Sequence, residues 1–190
     1  MKLRILSLLL GMGMLTTWIP QAEAAPHDSA GSCKSMPKCD GGKLSPVAKA
    51  LKEAGYLSEH QAKPRAKFYI FFCSASWCGI CQQMMPQVIE QYEQKISQNE
   101  DVELILLNHD QTTEAAREYM KQHAPMLPGA HVYALQLEAK PTYKYIPACF
   151  IMTARGELVS AGGGDVFLNW ETEIQKKPEK STGNNKRKRR

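Results

Sequence analysis

Cys78 and Cys81 stand two residues apart in the run Ser74-Ala75-Ser76-Trp77-Cys78-Gly79-Ile80-Cys81. An apolar, β-rich stretch from Phe68 to Cys73 leads in, and a helix-patterned stretch follows, with Pro86 five residues beyond Cys81. The dithiol therefore falls where a strand hands over to a helix. On the first turn of a helix this spacing brings two sulfurs close enough to bond. The helix N-terminus offers partial positive charge and free N–H groups to the first sulfur, which stabilises a thiolate. Cys78 is the expected nucleophile, with a lowered pKa. Cys81 sits one turn in, is expected to be more buried, and would resolve a mixed disulfide. Gly79 allows a partner chain to come close, and Ile80 adds neither charge nor hydrogen bond to the thiolate. No His lies between the cysteines, so the pair reads as reducing rather than strongly oxidising. A zinc site wants four ligands, commonly as two paired motifs, and only one close pair is present. A purely structural disulfide within one helical turn would constrain almost nothing, because its loop is so short. His109, His123 and His131 form no spaced ligand set, and no metal is assigned.

The run resembles the active site of the thioredoxin superfamily, Trp-Cys-x-x-Cys with a Pro five residues on, carried here by Trp77, Cys78, Cys81 and Pro86. The family's second marker is a cis-proline preceded by Ile, Thr or Val, opening a strand opposite the dithiol. Tyr145-Ile146-Pro147 followed by Ala148 to Met152 fits it, and Thr153 to Gly164 fits the family's terminal hairpin with its glycine. The resemblance covers Phe68 to Gln175. It implies a thioredoxin-like α/β fold, a central mixed β-sheet flanked by helices. It also implies a thiol–disulfide oxidoreductase of protein or small disulfides that needs no cofactor. Cys78 and Cys81 would be the redox-active pair, and Trp77, Ile146 and Pro147 would line the substrate groove. A cis Pro147 would leave the backbone before it free to pair with a substrate strand and would keep metal and stray thiols off Cys78.

One departure matters. Thioredoxins proper carry a buried Asp beneath the dithiol, near a Lys on the neighbouring strand, and Phe72 and Leu106 fall at those places. Without that acid, deprotonation of Cys81 must rely on water, another carboxylate or the substrate's leaving thiolate. The resemblance shifts accordingly towards exported, tryparedoxin-like disulfide reductases. The alternative class is a thioredoxin-fold binding module or copper-handling protein that uses the dithiol as metal ligands, since Cu(I) suits two thiolates. Against it, no Met-rich or His ligand set lies nearby, and Met84 and Met85 read as helix core.

The elements that must position this chemistry are partly legible. Ser45-Pro46 ahead of Val47, Ala48, Ala50, Leu51 and Ala54 predicts an N-terminal helix with a Ser cap, Pro at its first position and Gly55 at its end. A strand is expected over 67–73 and the active-site helix over 80–97, kinked at Pro86. Residues 102–108 read as a continuous apolar run, typical of a buried central strand. Residues 112–123 have helical spacing, and Pro125 and Pro128-Gly129 stop the helix. Residues 131–145 read as an insertion near the active-site face. Asp165 is expected to cap a closing helix over 166–175, with Val166, Phe167 and Trp170 inward. This order gives a mixed sheet covered on both faces. Cys73 and Cys149 fall on strands expected to be neighbours and read as buried, inert thiols; a bond between them would cross the core beside the dithiol.

Residues 1–24 read as a signal peptide: Lys2 and Arg4, an apolar run from Ile5 to Ile19, and the small-x-small site Ala22-Glu23-Ala24. The apolar run is short for a membrane span and ends at Pro20; an uncleaved anchor is the alternative. Cleavage near Ala24 would place the chain in a periplasmic or secreted, oxidising space. There a dithiol kept reduced needs an electron source, an exported or membrane redox partner that no residue identifies. Residues 25–66 form an N-terminal extension, a loop and then the helix. Its Cys33 and Cys39 close a seven-residue loop. A structural disulfide there would contribute about 2 kcal/mol on chain-entropy grounds; a second redox pair, or free thiols, stay open. Residues 67–175 form the thioredoxin-like domain. Residues 176–190 form a tail of charge +7 in a chain of net +5, which leaves the domain mildly acidic. The tail reads as a solvated, disordered end able to touch an anionic surface weakly; the exported context argues against nucleic acid.

Overall fold

The computed structural model describes residues 44–178. The segment read as a signal peptide, residues 33–39 with their two cysteines, and the residues beyond Pro178 lie outside the described residues.

Strand β1 (Phe68–Ser74) is the centre of the sheet, buried along nearly its whole length. Its run of aromatic and β-branched residues suits a strand packed on both faces. β2 (Val102–Asn108) and β3 (Gly129–His131) extend the sheet on one side, each parallel to its neighbour. β4 (Ala148–Thr153) and β5 (Leu158–Gly162) extend it antiparallel on the other, in the order β3-β2-β1-β4-β5. The two parallel connections run through α2 (Gly79–Gln91) and α3 (Thr113–His123) and step the same way along the sheet. Right-handed crossovers therefore place both helices on one face. That face packs Ile70, Phe72, Leu104, Leu106 and Ile151 against Met85 and Val88 of α2, Tyr119 and Met120 of α3, and Phe167 and Trp170.

The opposite face carries Tyr69, Phe71, Ile105, Leu107, Phe150 and Met152. It is covered by Val47, Ala48 and Leu51 of α1 (Pro46–Ala54) and by Val132 and Leu135. α1 starts as its sequence predicts, with the Ser45 hydroxyl accepting the Ala48 N–H at 3.2 Å and Pro46 in the first turn. The stretch read as an insertion divides in two. Gly129–His131 adds an edge strand, and residues 132–147, without helix or strand, lie over the second face.

Three local expectations need correction. The active-site helix stops being α-helical at Gln91 and continues as a π-helical turn, Tyr92–Ile96. The closing helix is broken into α4 (Gly164–Leu168) and α5 (Trp170–Glu173), and α4 is entered from Gly163 with no side-chain cap. Asp165 lies inside its first turn rather than capping it. The break falls at Asn169, whose backbone leaves the helical region (φ −108°, ψ 21°) and whose side-chain amide also bonds the Asp165 carbonyl at 2.9 Å. Finally, β2 is not wholly apolar: Glu103 is buried within it. Its carboxylate accepts the backbone N–H of Lys63 at 2.8 Å and of Leu104 at 2.9 Å. The Lys63 ammonium in turn donates to the carbonyls of Ile96, Asn99 and Val102.

Candidate active site

Cys78 and Cys81 are joined by a disulfide with their Cα atoms 5.2 Å apart. Cys78 is the N-cap of α2, with extended backbone, and its sulfur accepts the Cys81 N–H at 3.2 Å. Cys78 is 7% exposed and Cys81 0%. The helix thus leaves Cys78 a small residual exposure and Cys81 none, and both lie in a small apolar cluster with Ala75 and Ile146. The Ile146 carbonyl oxygen lies 3.7 Å from Cys78 Sγ, and the Ile146–Pro147 peptide is cis. Trp77, Ile80 and Tyr145 stand exposed around the pair. The structure thus brings Trp77, Cys78, Cys81, Ile146 and Pro147 to one end of the sheet, although 68 residues separate Cys78 from Ile146.

The loop before the dithiol is held by a residue that sequence reasoning passed over. Asp110 is buried, and its carboxylate accepts the Ser76 N–H at 3.0 Å, the Ser76 hydroxyl at 2.7 Å and the Asn108 side-chain amide at 2.9 Å. Asn108 Oδ1 accepts the Asp110 N–H at 2.7 Å, closing a local turn. The His109 N–H donates to the Ser74 carbonyl at 2.9 Å, and the Gln82 amide donates to the Ser76 carbonyl. A signal was available: a polar triplet, Asn108-His109-Asp110, ends a buried strand parallel to the one that ends in the dithiol. Parallel pairing brings both C-terminal ends to one edge, where α/β folds place their sites.

The histidines do not gather. His131 Nε2 bonds the Asp110 carbonyl oxygen at 2.9 Å, His123 packs against Tyr119, and His109 Nε2 bonds the Tyr143 hydroxyl at 2.8 Å. Burial, with smaller contributions from Lys140 and His131, pushes the His109 pKa down to about 4. Phe72, at the place of the family's acid, is wholly buried and meets Phe167 edge-on at 5.4 Å; Leu106 is buried beside it. Cys73 and Cys149 are free and buried. Cys73 pairs with Ala148, and Cys149 with Phe72. That offset of one residue sends the two thiols to opposite faces of the sheet, so the register excludes a bond between them. Burial pushes the Cys73 pKa up to about 12 and that of Cys149 well above its ordinary range.

Two clefts flank the Tyr145-Ile146-Pro147 segment. One, of about 310 Å³, lies among Trp77, His109, Tyr143 and Tyr145. The other, of about 330 Å³, lies among Tyr143, Tyr145, Pro147 and the glycines 162 and 163.

Residues 66–158 match a family described as thioredoxin-like. No curated protein sequence matches the chain. Among solved structures, tryparedoxin II from C. fasciculata is similar at 21% identity, over 68% of this chain and 93% of that one, with a TM-score of 0.49. A thioredoxin from Wuchereria bancrofti is similar at 18% identity, over 60% of this chain and 84% of that one, with a TM-score of 0.45. A thiol-disulfide oxidoreductase from Bacteroides fragilis is similar at 12% identity, over 63% and 98%, with a TM-score of 0.46. A helix-capping disulfide, a cis-proline facing it, the mixed sheet that joins them and the family match over residues 66–158 make this region a thioredoxin-like domain.

Proposed function

We propose that this chain is an exported thiol–disulfide oxidoreductase that reduces protein disulfides through Cys78 and Cys81. The observation that carries the reading is a disulfide at a helix N-cap, its first cysteine keeping a small exposure and its second fully buried one turn in. In the reduced protein the Cys78 thiolate attacks one sulfur of a substrate disulfide. That S–S bond breaks, a Cys78–substrate bond forms, and the other substrate sulfur leaves as a thiolate. Cys81 then loses its proton and attacks Cys78 Sγ, and the second substrate thiolate departs. Two electrons have passed to the substrate, and the Cys78–Cys81 disulfide remains. With Phe72 in place of the family's acid, the Cys81 proton goes to the departing thiolate or to water. Trp77, Ile146 and Pro147 line the groove where the substrate lies. An exported or membrane-bound donor restores the dithiol.

In an insulin-type reduction assay, Cys81→Ser is expected to accumulate covalent mixed disulfides and Cys78→Ser to abolish exchange. Full activity in Cys78→Ser would sink the assignment. Direction is read from the reduction potential of the pair. A value near about −270 mV supports a reductase, whereas one near about −120 mV makes it a disulfide donor. Export is tested by expressing the full chain and reading the N-terminus of the product, expected just after Ala24.

A further inference from the structure

Residues 141–146 carry the Ile146 carbonyl to Cys78, yet among the described residues no backbone–backbone hydrogen bond ties them to the rest of the fold. They belong to no helix or strand. Something else must hold them, and Tyr143 is placed to do so. Its hydroxyl is bonded to His109 Nε2 at 2.8 Å, and its side chain packs in the same cluster as Cys73. Its ring stacks over Phe150 at 6.3 Å and meets His109 edge-on at 5.5 Å. Both neighbours belong to the central strands: Cys73 is the penultimate residue of β1, and His109 follows β2 directly. The His109 backbone also holds Ser74, at the start of the loop that leads to Cys78. Tyr143 is, in addition, a wall common to both clefts beside the dithiol.

We infer that Tyr143 is a positioning residue for substrate docking: bonded to His109 and packed with Cys73, it pins residues 141–146 to the strand ends that aim the dithiol and so sets the shape of both clefts. The inference rests on the oxidoreductase reading and adds to it the residue that governs how a protein disulfide seats beside Cys78. Phenylalanine at this position keeps the ring and its stacking but loses the hydrogen bond to His109. A freed segment then has to be ordered by each incoming substrate, which weakens docking more than it slows sulfur exchange.

The test compares wild type, Tyr143→Phe, His109→Gln, His109→Leu and the Tyr143→Phe/His109→Leu double variant of the full chain, with two readouts. The first is the backbone 15N order parameter, which needs no activity. At residues 144–146 it should fall from the rigid range of about 0.85 in wild type to below about 0.6 in Tyr143→Phe. The second is steady-state reduction of a protein disulfide. KM should rise roughly three- to tenfold in Tyr143→Phe and His109→Leu, with kcat falling less than about twofold. His109→Gln, which can still bond the hydroxyl, should restore part of the loss, and the double variant should be no worse than the worse single one. Unchanged order parameters at 144–146 overturn the pinning, and lowered order parameters with an unchanged KM overturn the docking role. If wild type reduces no protein disulfide, the oxidoreductase reading and the docking role fall together, and the order parameters alone decide whether Tyr143 pins the segment.

Discussion

At the scale of residues, identical side chains acquire different chemistry from their surroundings. Four described cysteines illustrate it. Cys78 and Cys81 are bonded at a helix start, while Cys73 and Cys149 are sealed on opposite faces of the sheet with their thiols held protonated by burial. His109 is set apart in the same way. Its pKa is pushed down from 6.5 to about 4, first by burial, so the folded protein resists a proton that the unfolded chain accepts. Between those limits the unfolded chain binds more protons, and stability falls as pH drops from 6.5 towards 4. Urea unfolding of wild type and His109→Gln at about pH 7 and about pH 4.5 should show the larger acid loss in wild type. Parallel losses would mean that His109 titrates freely.

At the scale of elements, the site is made where helix beginnings and strand ends meet. α2 contributes its N-cap sulfur, β1 the loop from Ser74 to Trp77, and β2 the Asn108-His109-Asp110 turn that holds that loop. Beyond that turn the chain enters α3, whose first turn is closed by the Thr112 hydroxyl accepting the Ala115 N–H at 3.2 Å. Thr112→Ala should lower stability by about 1 kcal/mol in denaturant titrations, the ordinary worth of such a cap. A change within error would mean that packing of Ala116, Tyr119 and Met120 alone defines the helix start. The elements also explain where pattern reading failed. Strand 102–108 and helix 112–123 were legible because period, cap and stop signals lie within a dozen residues. The closing helix was misread because the backbone of Asn169 leaves the helical region in the middle of an otherwise good apolar stripe.

At the scale of the whole molecule, the two faces of the sheet are stabilised differently. The face under α2 and α3 is an ordinary apolar core, whereas the other buries Glu103 near the end of the sheet remote from the dithiol. Burial raises the Glu103 pKa, against the lowering effect of the Lys63 N–H and ammonium. Here the folded state binds the proton more readily, so stability falls as pH rises from 4.5 through the raised value, opposite in sign to His109. The difference in urea midpoint between wild type and Glu103→Gln should move in favour of wild type as pH is lowered from about 8 to about 5. A difference that does not vary with pH would show that Glu103 ionises as it does in the unfolded chain.

The sequence alone determined the dithiol, the helix it caps, the strand before it and the proline that faces it, because each is written in residue types a few positions apart. It also located the central strands and their alternation with helices, and hence the fold class. Only the tertiary structure decided what holds the site together. Ser76 meets Asp110, and His109 meets Tyr143, each across 34 residues. Cys73 and Cys149 part company through a single step of strand register. Residues 132–147 cover a sheet face with no periodic pattern to announce it. Glu103 finds its partners through the packing of Lys63 against the turn that leads into β2. Such contacts depend on which strand ends share an edge and in what register, and that is settled by burying both sheet faces at once rather than by any local run of residues.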